Sequence, residues 1–100
     1  MNRAGRKRKN RVLGADHSKV CFKPCGIPSV DLEQIILLED EMEAIRLADY
    51  ESKYQQEAAI AMGISRTTFS RLVESARHKI ADALLHQKSI NIKSTDEKSI

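Results

Sequence analysis

Between Ser65 and His78 the chain runs SRTTFSRLVESARH, with short hydroxyls and guanidinium groups interleaved among apolar residues. Arg66, Thr67, Thr68, Ser70 and Arg71 come first, then Glu74, Ser75, Arg77 and His78. Hydroxyls of this length reach phosphate oxygens or a thymine methyl, and an arginine can bond two acceptors on the edge of guanine. This is chemistry for reading a polyanion, not for breaking a bond. A second set, His17, Cys21 and Cys25, is spaced H-x3-C-x3-C beside a Pro/Gly turn and offers the soft ligands that zinc takes. Only three such ligands are local and no paired C-x2-C knuckle exists, so two half-buried thiols near Phe22 and a surface histidine are the preferred reading. No metal and no cofactor is expected.

Catalytic arrangements are missing from the sequence. There is no Gly-rich phosphate loop, no HExxH and no Gly-x-Ser-x-Gly. Ser65 has no partnered base, and His78 and His86 are too far apart for an i, i+4 ligand pair. The acids from Asp40 to Glu43 are consecutive, so on a helix they splay around the axis instead of converging on a substrate. The chain is expected not to be an enzyme.

The elements that must position these residues follow from periodicity and punctuation. From Val20 to Pro28 (VCFKPCGIP) two prolines and a glycine forbid a helix and predict a short extended piece followed by a turn. Asp31–Leu38 is ambiguous, because IILL suits a short buried strand or a helix start. Ser89–Lys93 (SINIK) alternates like a strand, and the two strands could pair. Asp40–Glu51 reads as a helix with acids crowded in its first turn, where the helix dipole favours them. Tyr54–Met62 is a second helix that Gly63 stops in a left-handed position. Ser65 caps the third, whose Phe69, Leu72, Val73, Ala76, Ile80, Ala83 and Leu84 make an unbroken apolar stripe if Thr67–Leu85 is continuous. Ala58 and Ala59 let the second and third helices approach across the Gly63-Ile64-Ser65 turn, and Ile64 plugs the angle between them. This is the pattern of a helix-turn-helix.

At 100 residues there is room for one domain. Aromatic residues are 4% of the chain and Trp is missing, so the core must come from Leu, Ile, Ala and Met, which favours packed helices. No apolar run reaches the roughly 18–20 residues that span a bilayer. The basic N-terminus has no apolar segment behind it, so no secretory signal is expected. Two cysteines fit a reducing cytoplasm.

The net charge of +3 conceals a strong pattern: residues 1–23 carry +7, residues 30–57 carry −7, and residues 58–93 carry +4. Met1–Arg11 has six bases, among them Arg6, Lys7, Arg8, Lys9 and Arg11, with no acid and almost nothing apolar. Such a segment cannot offset its ordering entropy by burial, and its chemistry suits phosphates or a minor groove. The acidic middle is expected to be a solvated face turned away from any polyanion. Contact with a basic partner, or with the protein's own arm, is the alternative. The domain plan is an arm over 1–19, a helix-turn-helix domain over 20–93 and a flexible tail over 94–100.

The run RLADYESKYQQEAAIAMGISRTTFSRLVESARHKIADAL is similar to the C-terminal helix-turn-helix, region four, of bacterial sigma factors. The shared features are the Arg-Leu, the Glu-Ala-Ala before the turn, Gly-Ile-Ser, the threonine two residues later and the Ala-Arg near the helix end. With FKPCGIP upstream, a basic arm before it and KSINIK after, the chain resembles uncharacterised protein family two-five-one, small bacterial and archaeal proteins. The resemblance covers the chain from the arm to about Lys93. It implies a DNA-binding domain with sigma-region-four-like helices and no assigned enzymatic activity. The family pattern has Gly-Leu-Ser-Gln-Glu-Glu where this chain has Ser52-Lys53-Tyr54-Gln55-Gln56-Glu57. The glycine ending the first helix and the serine capping the second are therefore replaced, and Ser52 with Gln55 is expected to form a capping box instead. Leu38-Glu39 likewise stands in place of Thr-Leu.

The expected fold is mainly α, a sigma-region-four-like helix-turn-helix of winged-helix superfamily size, with a basic N-terminal arm and a short two-stranded β patch. The expected function is sequence-specific binding of double-stranded DNA by a cytoplasmic, nucleoid-associated transcriptional regulator. Arg66, Thr67, Ser70 and Arg71 would lie on base edges, Thr68 would also contact DNA, and Arg77 with the arm would lie on phosphates. A homodimer would extend the site read. A sigma-like adaptor bound to RNA polymerase, or a metal- or redox-sensing interaction module, are the alternatives.

Overall fold

The computed structural model describes residues 20–95. In chain order it contains strand β1 (Cys21–Phe22), a single 3-10 turn (Ser29–Asp31), strand β2 (Gln34–Leu38), helix α1 (Glu39–Ile45), helices α2 (Gln55–Met62) and α3 (Arg66–His86), and strand β3 (Ser89–Lys93). The fold is mainly α with a small sheet, as the composition predicts. No helix among the described residues is long and apolar enough to cross a membrane.

The IILL ambiguity resolves to a strand, because SINIK supplies it with a partner. β2 pairs parallel to β3 with Ile35 opposite Ile90 and Leu37 opposite Ile92, and β1 adds antiparallel on the other edge of β3. The sheet thus has three strands in the order β1-β3-β2, one more than the expected patch. Leu37, Ile92 and Ala76 form one buried cluster, joining the sheet to the middle of α3. A second cluster, Ala44, Leu47, Ala58, Ala59, Phe69 and Val73, joins α1, α2 and the first half of α3.

Helix α1 differs from the expected Asp40–Glu51 helix. Its regular part ends at Ile45 and gives way to a π-helical segment, Arg46–Tyr50, closed by the Glu51 N–H donating to the Arg46 carbonyl at 2.8 Å. Arg46 clamps the segment from both sides. Its Nε and one terminal nitrogen donate to Glu43, at 2.9 and 2.7 Å, and the other terminal nitrogen donates to Glu51 at 2.9 Å. At the start of α1, Leu38 in the capping position has no side-chain acceptor. Glu41 accepts the Leu38 N–H at 2.9 Å, and Thr95 accepts the Asp40 N–H at 3.1 Å.

Two expectations are corrected. Ser52 does not cap α2: it adopts the left-handed conformation, φ 58°, and the capping position falls to Tyr54, which makes no side-chain cap bond. The chain must reverse its twist where the π segment ends, so Ser52 takes the conformation that glycine adopts without strain. The apolar stripe of α3 also ends early. Ala83 is buried but Leu84, turned about 100° from it around the helix axis, is 74% exposed.

Candidate nucleic-acid interface

The helix-turn-helix is set by a few local choices. Gly63 adopts φ 72° and ends α2, its N–H and that of Ile64 turning back to the Ile60 and Ala59 carbonyls. Ser65 begins α3, its Oγ accepting the Thr68 N–H at 3.1 Å and donating to the Thr68 hydroxyl at 3.0 Å. Ala58 and Ala59 are buried in the crossing, and Ile64 packs against the same cluster. No bulk separates the helices, so the first turns of α3 are fixed against α2.

At 3.6 residues per turn, α3 has four sides. Phe69, Val73, Ala76 and Ala83 are buried against the body. Ser75 and Lys79 lie on one flank, toward the start of α1 and β2. Their contacts converge on Glu41, which accepts from the Ser75 hydroxyl and, at 2.8 Å, from the Lys79 ammonium. Lys79 also donates to the Ile36 carbonyl at 2.9 Å. Ser70 and Arg77 lie on the opposite flank, toward the π-helical segment. Arg77 forks onto Asp49 there, its Nε donating to one carboxylate oxygen at 3.1 Å and a terminal nitrogen donating to the other. Thr67, Arg71, Glu74 and His78 occupy the fourth, outward side, and all four are exposed.

The electrostatics of the two flanks differ. Burial pushes the Glu41 carboxyl up, but the bonds from Lys79, Ser75 and the Leu38 N–H outweigh it and hold the group below its ordinary value of 4.5. The Arg77 hydrogen bond lowers Asp49 directly, with little burial to oppose it. The acids of α1 are therefore not a solvated back as expected: Glu39, Glu41 and Glu43 are all buried, and the last two are tied to cations. A basic side chain from a distant helix, with Ser75 four residues before it, completes what looked like an exposed acidic run.

Residues 1–99 match the family described as protein of unknown function DUF134. The chain belongs to the DUF134 family. Relatives include a UPF0251 protein of Prosthecochloris aestuarii, 52% identical over 91 residues, which are 91% of this chain and 59% of that relative. A UPF0251 protein of Vibrio cholerae is 48% identical over 79 residues, 79% of this chain and 81% of the relative. One from Methanococcus maripaludis is 43% identical over 90 residues, 90% of this chain and 69% of the relative. The DUF134 chain thus spans about three-fifths of the Prosthecochloris protein's length. No solved structure matches it.

In the DUF134 chain the candidate residues separate into three groups. Arg66, Thr67 and Arg71 are exposed and Ser70 is half-buried; none of the four makes a side-chain hydrogen bond or ion pair to another described residue. Thr68 is exposed, but its hydroxyl is bonded to the Ser65 cap. Arg77 is engaged by Asp49, so the cation expected on a phosphate is already paired. Arg6, Lys7, Arg8, Lys9, Arg11 and His17 lie outside the described residues. Cys21 and Cys25 are free and exposed, not half-buried, and no group of three His, Cys, Asp or Glu among the described residues could hold a metal. Two side chains bearing on the site went unread in the sequence: Asp49, placed by the π-helical segment, and Lys53, exposed just before α2. The signal for Asp49 was its place in an Arg-flanked acidic run facing a basic helix.

Proposed function

We propose that this DUF134 chain binds double-stranded DNA sequence-specifically and acts as a transcriptional regulator in the cytoplasm, on the nucleoid. One observation supports the reading above the rest. The first turns of α3 offer Thr67 and Arg71 uncommitted on the side away from the body, with Arg66 exposed at the helix start, while the opposite side and one flank are locked by the core and by Glu41. A helix locked on two sides, with an uncommitted guanidinium on the outward one, suits insertion into a major groove. Arg71 then reads a base edge by two hydrogen bonds, Arg66 and Thr67 lie beside it, and Arg6, Lys7, Arg8, Lys9 and Arg11 neutralise phosphates. A single helix of this kind reads few base pairs, so a homodimer or the arm extends the site.

Selection from a random duplex library tests this. A defined motif is expected, and Arg71→Ala should relax the preference at one or two positions, costing about 1–3 kcal/mol there. Removing residues 1–11 should flatten the dependence of log affinity on log salt while leaving the motif intact. Equal binding to all duplexes would exclude a specific regulator. Binding only in the presence of RNA polymerase would favour an adaptor instead.

A further inference from the structure

A groove of about 240 Å³ opens between the segment entering α2 and the flank of α3. Lys53, Gln55, Ser70, Glu74 and Arg77 form its rim. Two of these are cations on facing elements. The Lys53 ammonium is exposed and has no carboxylate partner among the described residues, whereas Arg77 leans away onto Asp49. The Asp49–Arg77 side chains are 42% and 57% exposed, so water and salt reach the pair and it holds the guanidinium only loosely. Glu74 stands on the same rim and disfavours an anion there unless both cations face it. The groove also takes in Ser70 of α3, one of the residues expected on the DNA-facing part of the helix.

We propose that this groove seats one backbone phosphate of the bound duplex between Lys53 and Arg77, and that Asp49 determines specificity by competing with that phosphate for Arg77. The inference rests on the DNA-binding reading. On an unmatched duplex α3 sits shallowly, the nearest phosphate stays at the mouth of the groove where it cannot displace Asp49, and only loss of the Asp49 charge frees Arg77 to meet it. On the matched site α3 seats fully, the phosphate arrives beside Lys53, and the guanidinium exchanges one bidentate acceptor for another. Each exchange of this kind adds one neutralised phosphate. Asp49 thereby withholds a contact from wrong sequences that it releases to the right one.

The test measures binding against salt for the wild type, Asp49→Asn, Arg77→Gln and the double variant, on the selected duplex and on a scrambled one. Glu57→Gln, exposed on α2, is the control for loss of one negative charge. On the scrambled duplex Arg77→Gln should leave the slope of log affinity against log salt unchanged. Asp49→Asn should steepen that slope by about 0.9, and the double variant should return it. On the selected duplex Arg77→Gln should flatten the slope by about 0.9 in the wild-type background. Equal effects of Arg77→Gln on both duplexes, whatever residue stands at 49, would overturn the proposal, as would a Glu57→Gln effect matching Asp49→Asn. Heparin elution separates the two readings. If Asp49→Asn alone elutes later while no variant binds duplex, the DNA reading fails and the competition for Arg77 stands. If Asp49→Asn and Glu57→Gln elute together, the competition fails.

Discussion

The two flanks of α3 each carry one cation to an acid from the α1 region, and they do so under opposite conditions. Lys79 meets Glu41 where the carboxylate is 5% exposed and is also bonded by Ser75 and the Leu38 N–H. Arg77 meets Asp49 where both side chains are close to half in water. Identical charge complementarity therefore has different consequences. The first pair removes an anion from water and must remain whole, because either partner alone is left uncompensated. The second contributes little to stability and can be traded for another anion. One flank fixes the helix and the other is free to answer a ligand.

The sharpest way to break this contrast is Glu41→Ala. It should destabilise the fold by about 3 kcal/mol in chemical denaturation, because Lys79, Ser75 and the Leu38 N–H lose their common acceptor. A loss below about 1 kcal/mol would make the two flanks alike. The same flank governs acid sensitivity. Glu41 titrates below 4.5 in the folded chain, so its contribution is whole above that pH and is lost as pH falls through the lowered value. Glu41→Gln should remove that part of the acid limb, whereas Asp49→Asn, at a position open to solvent, should leave most of it. Ser65→Ala, which removes the acceptor for the Thr68 N–H, should cost about 1 kcal/mol and weaken duplex binding by fraying the first turn of α3. Ser52→Gly acts in the other direction: relieving a left-handed serine should stabilise the chain by about 0.5 kcal/mol, read as a raised melting temperature. Asp49→Asn should have the smallest effect on stability, under about 0.5 kcal/mol.

What the sequence disclosed depended on how far apart the cooperating residues lie. The turn and the third helix were legible because Gly63, Ser65 and the spacing from Phe69 to Ala83 are local signals, and each stands where expected. The strand identity of IILL was not, since its partner Ile90–Ile92 lies far along the chain and only pairing decides between helix and strand. Glu41 reads as solvated because acids in a first turn satisfy the dipole whether or not they are buried. Lys79, 38 residues away, supplies the missing fact. The π-helical segment left no local trace in the sequence, yet it places Asp49. Ser52 could have been read correctly: it stands where the family pattern has glycine, and its left-handed conformation is the reason. Among the candidate residues, the exposure of Arg66, Thr67 and Arg71 was legible from the amphipathic pattern, whereas the commitments of Thr68 and Arg77 required the fold.

The central strand of the sheet is also the last strand among the described residues. β3 is bounded on one side by β2 and on the other by β1, both from before the first helix, and the Ser89 N–H closes onto the Glu33 carbonyl at 2.9 Å. Helices α1, α2 and α3 are thus enclosed in a loop of more than fifty residues that is shut by β3. Closing a loop of this length before its contacts form slows folding. During synthesis the three helices leave the ribosome without a sheet to rest on, and the cluster of Leu37, Ala76 and Ile92 cannot assemble until Ile92 has emerged. Helix α3 is therefore fastened to the sheet only after β3 has emerged.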